Sequence, residues 1–318
     1  MEWAKSNLER LQEWRCRIRA VRQAYVGRHG RDASIFFPRL YSEKIQWRKL
    51  FGLVPMHKVF CDKLSTRRYV EEMGLGNLLS ELVWSGTDLA QSPIRSLTFP
   101  FVLKSNHASR QYIFVHDPAS MNYDELSAEA ERWLSIYWGE LTNECGYCGI
   151  PRRLMIERMI MNPDGSQPIE HRVFVFGGKV KIIASMIVEG GGVFSLFHTA
   201  DWERLNWTAV NEPYEPGLPR PQRLDEIIAI SEKLCGECDH LRIDFYDDCV
   251  RLYVGEITVY TWSGLQPLEP PEADAIIGAY WKLDWPLPRA LAKIAFGRWG
   301  ILGLEDHRGR ESAAALAR

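Results

Sequence analysis

The stretch that most constrains this chain reads Leu241-Arg242-Ile243-Asp244-Phe245-Tyr246, then a polar break at Asp247-Asp248-Cys249, then Val250-Arg251-Leu252-Tyr253-Val254-Gly255-Glu256-Ile257-Thr258. Two runs rich in Val, Ile, Leu and Tyr around a short break predict an antiparallel hairpin. Because strand side chains alternate, a loop of about five residues puts Asp244 and Glu256 on one face as diagonal neighbours, about 7–8 Å apart. Carboxylates that interrupt an apolar strand are costly to bury unless a metal or a base neutralises them, and Mg²⁺ is commonly held by one or two carboxylates plus substrate phosphates. Arg242 shares the face of Asp244 and supplies positive charge for a phosphoryl oxygen. From these residues alone, a hairpin whose acids sit at a solvated edge beside Arg242 and Arg251 competes evenly with a metal site.

Upstream, Thr98-Phe99-Pro100-Phe101-Val102-Leu103-Lys104 is a short apolar strand ending on a lysine. It runs into Ser105-Asn106-His107-Ala108-Ser109-Arg110-Gln111 and then a second strand, Tyr112 to Val115. A strand-end lysine followed by a loop of small residues handles phosphate, through the ammonium charge and the loop N–H groups. The competing reading is a plain surface lysine, since the loop lacks the glycines that let backbone close on phosphate. Arg153 to Ile160 reads as a buried strand carrying the charged pair Glu157-Arg158, and Glu170 to Phe176 follows a Pro/Asp/Gly turn.

In order, these pieces resemble the ATP-grasp superfamily, and within it the teichuronopeptide-biosynthesis (TupA-like) branch. The resemblance covers Phe37 to Pro267. It opens at Tyr41-Ser42-Glu43-Lys44-Ile45-Gln46-Trp47, passes through Cys61-Asp62-Lys63, Arg67-Arg68-Tyr69-Val70 and Phe101 to His107, and closes at Gly255-Glu256-Ile257-Thr258 and Ser263-Gly264. It implies an α+β fold in which two α+β subdomains clamp ATP, with helical N- and C-terminal extensions. The implied chemistry is activation of a carboxylate as an acyl phosphate, which an amine then attacks. Lys104 is thereby implied to touch the nucleotide phosphates, with Asn106, His107, Ser109 and Arg110 in a mobile phosphate-covering loop that ends at Gln111. Glu157 and Arg158 are implied as the hinge at adenine, and Asp164 as the ribose contact. Arg172 and Arg242 are implied to steady the transferred phosphoryl group and the acyl phosphate, and Asp244, Glu256 and Thr258 to hold Mg²⁺. Two positions depart from the pattern. Ala108-Ser109-Arg110-Gln111 stands where the branch has Gly-Ser-Gly-Gly, and Thr258 stands where the wider superfamily has asparagine.

The expected activity is therefore an ATP- and Mg²⁺-dependent carboxylate–amine ligase. Its substrates are a small-molecule or glycan carboxylate, a uronic acid or specialised-metabolite precursor, and an amine such as an amino acid or peptide. The alternatives are a non-catalytic nucleotide binder and a small-molecule kinase on the same fold. A net charge of −2 argues against a nucleic-acid footprint. No apolar run reaches the about 18 residues of a spanning helix and the first residues are charged, so the expected compartment is the cytoplasm.

The expected segments are a basic amphipathic helix at 1–31, an N-terminal lobe at 32–98, a small subdomain with phosphate loop and hinge at 99–160, a catalytic subdomain at 161–267, and a helical extension at 268–318. In the first segment Leu11, Trp14, Ile18, Val21 and Tyr25 form one apolar stripe among arginines. Packing on its own domain is favoured over docking on an anionic membrane. Seven cysteines include Cys145-Gly146-Tyr147-Cys148 and Cys235-Gly236-Glu237-Cys238. Two CxxC pairs are the ligand set of a structural zinc site, but the long gap between them favours reduced thiols.

Overall fold

A computed structural model describes residues 2–283 apart from Leu53 and Val210. The part of the expected helical extension from residue 284 onward lies outside the described residues. The chain opens with helices α1 (Glu2–His29), α2 (Tyr41–Phe51), α3 (Pro55–Cys61) and α4 (Lys63–Glu72). Strands β1 (Leu82–Gly86), β2 (Phe101–Ser105) and β3 (Tyr112–Val115) follow, then α5 (Tyr123–Ser135), α6 (Trp138–Thr142) and β4 (Leu154–Arg158). The second half comprises β5 (Ile169–Phe176), β6 (Lys179–Glu189), β7 (Gly192–Thr199), β8 (Arg204–Leu205), β9 (Glu212–Pro213), α7 (Leu224–Cys235), β10 (His240–Asp247), β11 (Leu252–Thr258) and α8 (Glu272–Tyr280).

These elements make two sheets. The smaller has the order β1-β4-β2-β3, and the larger runs β11-β10-β5-β6-β7-β8 with β9 pairing β7. Apolar alternation explains how each is covered. Phe101, Leu103, Leu154 and Ile156 point from the small sheet into a core with Leu126, Ala130 and Trp133 of α5. Leu224, Ile227, Ile230 and Leu234 of α7 share the main core with Val173, Val175, Ile183, Leu241 and Ile243 of the large sheet. The edge strand β1 comes from the segment expected to form the N-terminal lobe, while Tyr41, Ile45, Phe60 and Val70 of the preceding helices join the large sheet's core. The segment 32–98 is thus shared between the two halves.

The stripe on α1 packs on the protein itself: Val21 and Tyr25 are buried against Trp47, Leu50 and Phe51 of α2, with Trp14 and Ile18 beside them. Among the described residues no helix is long and apolar enough to cross a membrane.

The hairpin β10–β11 forms with one difference. Asp244 pairs directly with Glu256 rather than diagonally, and the register then jumps to Phe245 opposite Val254, leaving Gly255 as the extra residue of a bulge. Only glycine fits there, because a Cβ would lie 2.5 Å from the Tyr246 ring.

Candidate active site

The two sheets meet at a cleft. The small sheet contributes Lys104, Met155 and Glu157, β11 contributes Val254 to Ile257, and α4 contributes Lys63, Thr66 and Arg67. Lys104 Nζ donates to Glu157 Oε2 at 2.7 Å, while Glu157 Oε1 accepts from Arg67 Nη1 at 2.6 Å and from Ser80 Oγ at 3.0 Å. Burial alone would raise the Glu157 pKa, but Lys104 and then Arg67 outweigh it and hold the carboxyl below its usual range. At Lys63 burial dominates and lowers the pKa, opposed by the Glu256 carboxylate. The charged wall therefore presents Lys63, Arg67 and Lys104 against Glu157 and Glu256, a surplus of positive charge suited to a polyanion.

Behind β11, one face of the large sheet carries alternating charge. Arg242 donates to both Asp244 oxygens, at 2.7 and 2.6 Å, and Arg172 to both Glu170 oxygens, at 2.9 and 3.0 Å. Asp244 lies opposite Arg172 on one side and Glu256 on the other, so these groups form one row across three strands. Burial would lower the Arg242 pKa, but Asp244, reinforced by Glu256 and Glu170, raises it and fixes the guanidinium as a cation. Thr258 Oγ1 is buried with no hydrogen-bond partner, and no bond or ion pair of the Glu256 carboxylate is found among the described residues. Directly opposed carboxylates have Cβ atoms about 4.5–5.5 Å apart. An acid pair beside an orphaned hydroxyl is a donor set that fits Mg²⁺ with water and phosphate completing its shell. Among the described residues no group of three or more His, Cys, Asp or Glu side chains could hold a metal, so the two CxxC pairs do not converge on a zinc site.

A sequence model of the family described as TupA-like ATPgrasp matches residues 43–282 of the 318. The chain belongs to the TupA-like ATP-grasp family. Membership gives the chain the α+β ATP-grasp fold. No curated protein matches it. Among solved structures it is similar to the ADP complex of purK, N5-carboxyaminoimidazole ribonucleotide synthetase, at 15% identity and TM-score 0.40, over 62% of this chain and 44% of that one. It is also similar to D-alanine–D-alanine ligase from Bacillus anthracis, at 16% identity and TM-score 0.41, over 74% and 66%. A third is the ATP-grasp ligase PsnB with a phosphomimetic variant of its minimal precursor, Mg and ADP, at 10% identity and TM-score 0.39, over 76% and 66%. The chain spans less than two thirds of the length of the first two of these.

The ATP-grasp loop after Lys104 differs from the expected mobile flap. Asn106 is buried and its side chain is fully engaged: Nδ2 donates to Asp62 Oδ1 at 2.8 Å and to Pro151 O at 3.0 Å, and Oδ1 accepts the Arg153 N–H at 2.7 Å. Buried His107 contacts Asn106 Oδ1 and Trp133 O through its two ring nitrogens, both at 3.2 Å, and burial lowers its pKa. Ala108 is fully buried and its carbonyl accepts from Lys63 Nζ. Side-chain anchoring thus replaces glycine mobility, and only partly buried Ser109 and exposed Arg110 remain at the tip. Arg110 sits at φ 61°, a glycine-type conformation where the branch has glycine.

The hinge residues part company. Glu157 faces the cleft, whereas exposed Arg158 stacks 3.7 Å over the Phe99 ring and donates to Glu81 at 2.8 Å. Asp164 is exposed in the β4–β5 turn, where its Oδ1 accepts from Ser166 N and Oγ at 2.9 and 2.7 Å. It does not line the cleft, and turn formation accounts for it. The sequence pattern left Lys63 and Arg67 without a role, although they belong to Cys61-Asp62-Lys63 and Arg67-Arg68-Tyr69-Val70. Their spacing of four on a helix capped by Asp62, which accepts the Leu64 N–H, was the signal, since i and i+4 share a face.

Proposed function

We propose that this chain is an ATP-grasp carboxylate–amine ligase that forms an amide through an acyl phosphate and yields ADP and phosphate. The proposed reaction adds an amino acid or peptide to a uronic acid, glycan or specialised-metabolite precursor. The observation that carries this reading is the placement of Lys104, fixed by Glu157, across one cleft from Glu256 on β11. Lys104 and Lys63 present ammonium groups to nucleotide phosphates, and Glu157 acts through the lysine it holds rather than by touching adenine. Asp244, Glu256 and Thr258 are the proposed Mg²⁺ ligands, and bound Mg²⁺ neutralises phosphate charge and orients the phosphoryl group. Arg242 and Arg172, each braced by a carboxylate, supply fixed positive charge where the phosphoryl group transfers and where charge develops on the acyl oxygen. The bracing keeps their geometry set before substrate arrives, so little reorganisation accompanies the reaction.

The test is product analysis with purified protein, ATP, Mg²⁺ and a panel of uronic acids and amino acids. ADP and phosphate formed in step with amide, and only when acid and amine are both present, is the expected result. AMP with pyrophosphate would replace the acyl phosphate by an adenylate. Phosphate retained on an acceptor would make the protein a kinase, and ATP binding without consumption across the panel would make it a binder.

A further inference from the structure

Cys145 and Cys148 play no part in the reaction proposed above, yet their surroundings are not those of inert structural thiols. They flank a single helical turn in which the Cys148 N–H donates to Cys145 O at 3.1 Å. A turn closed by an i→i+3 bond keeps its end Cα atoms within about 7 Å, the span that a disulfide bridges without backbone movement. Both side chains are only partly buried and both are free thiols. A cation reaches across from a distant helix: Arg17 Nη2 of α1 lies 2.7 Å from Cys145 Sγ. The thiol of Cys148 and the Arg17 charge together bring the Cys145 pKa down to about 6 against the opposing effect of burial, while Cys148 is pushed up by its neighbour.

The molecule carries its own control. The second pair, Cys235 and Cys238, has the same spacing, but burial pushes both thiols up to about 12, and among the described residues no cation lies within hydrogen-bond distance of either sulfur. Cys61 is fully buried and likewise raised.

We propose that Cys145 and Cys148 form a redox-active dithiol, with Cys145 as the attacking thiolate held by Arg17 and Cys148 as the resolving thiol. The oxidant is a low-molecular-weight disulfide. Cys145 S⁻ attacks one of its sulfurs, a mixed disulfide forms, and one thiolate leaves and takes a proton from water. Cys148 then loses its proton to solvent and attacks the Cys145 sulfur, closing the 145–148 disulfide and expelling the second thiolate. The protein dithiol is oxidised by two electrons and one small disulfide is reduced to two thiols. The turn is coupled to the rest of the protein, because the Gly146 N–H donates to Tyr260 Oη at 3.0 Å and a Cβ on Gly146 would lie 2.7 Å from Cys61 Sγ. Closing the disulfide removes the charge that Arg17 faces and tightens this turn.

The full chain is incubated with glutathione disulfide, quenched by alkylation and mapped by peptide mass spectrometry, alongside the pH dependence of iodoacetamide labelling at each cysteine. Three results are expected: a 145–148 disulfide formed well before any involving Cys235 or Cys238; Cys145 labelling with a midpoint near pH 6; and, in Arg17→Ala, an upward shift of that midpoint. Cys148→Ser should trap glutathione on Cys145, a readout that survives any loss of overall stability in the other variants. Labelling of Cys145 no faster at neutral pH than of the exposed Cys16 and Cys249, or absence of the intramolecular disulfide, overturns the proposal.

Discussion

Lys104 reaches Glu157 diagonally. Val102, two residues earlier on β2, is the strand partner of Glu157 on β4, and the lysine Nζ spans the diagonal to sit 2.7 Å from Oε2. The same carboxylate holds Arg67 of α4, so one buried acid fixes a strand and a helix on adjoining walls of the cleft.

Glu157→Gln should therefore act on stability and nucleotide binding together. The amide keeps the shape but leaves Lys104 and Arg67 facing each other without a counter-charge, a loss of about 1–3 kcal/mol for a half-buried triad. The sign with pH follows from the lowered pKa. The carboxylate's contribution is complete above its unfolded value of 4.5 and is lost as pH falls through the lower folded value. Urea unfolding of both proteins at pH 7 and at pH 3 should show the gap closing at acid pH. A gap that is the same at both would mean that charge at Glu157 does not stabilise the fold.

The proposed metal row gives a sharper contrast. Glu256→Gln and Asp244→Asn should each reduce turnover by a hundredfold or more and erase the Mg²⁺-dependent part of the thermal shift produced by ATP. Arg251→Ala changes the same hairpin but loses only a stack on Tyr253 and a 3.4 Å bond to Leu79 O, so its effect should stay within about threefold. Circular dichroism checks folding in each case. A folded Glu256→Gln protein with the wild-type Mg²⁺ effect would remove β11 from the metal site.

Much of this site was legible because its signals are local. Alternation along Leu241 to Thr258 placed two acids on one face, and the apolar run up to Lys104 marked a strand end. What stayed hidden depends on distant contacts. The bulge at Gly255 that brings Asp244 and Glu256 into direct opposition answers to the Tyr246 ring across the hairpin. The burial of Asn106 and His107 depends on Asp62, Pro151 and Trp133. The family resemblance implied a flap, and only the partners show Asn106 and His107 held in place. Likewise β1 joins the small sheet only through its pairing with β4, far away in sequence.

Buried histidines, His171 and His198 among them, should lower stability in mild acid. His171 Nδ1 contacts Ser185 Oγ at 2.9 Å, and His198 stacks on Trp202 with ring centres 4.0 Å apart. Burial lowers both to about 4, with His198 adding to the effect at His171 and Arg204 to that at His198. Both are neutral in the folded protein, so the unfolded chain binds more protons between the ordinary value of 6.5 and about 4, and stability falls as pH falls through that window. His198→Phe keeps the stack and should cost under about 1 kcal/mol at pH 7 while removing up to one proton from the slope, at most about 1.4 kcal/mol per pH unit. An unchanged slope from pH 6 to 4.5 would show that His198 already protonates freely in the folded state.

The loop tip separates backbone strain from function. Arg110 holds a left-handed conformation that costs an ordinary side chain about 1 kcal/mol and glycine almost nothing. Arg110→Gly removes that strain but gives the unfolded chain more freedom, and the two effects nearly cancel, so stability should stay within about 1 kcal/mol of wild type. Ala108→Gly is different. The alanine is fully buried between the anchored Asn106–His107 pair and the tip, so losing its methyl costs about 1 kcal/mol with no strain to relieve. Because Lys104, Lys63 and the β11 acids are untouched, neither change should abolish ATP binding. If the guanidinium covers bound phosphates, Arg110→Gly should raise the KM for ATP severalfold with a smaller effect on kcat. Equal loss in both, or none in either, would show that the tip does not reach the nucleotide and leave phosphate contact to Lys104 and Lys63.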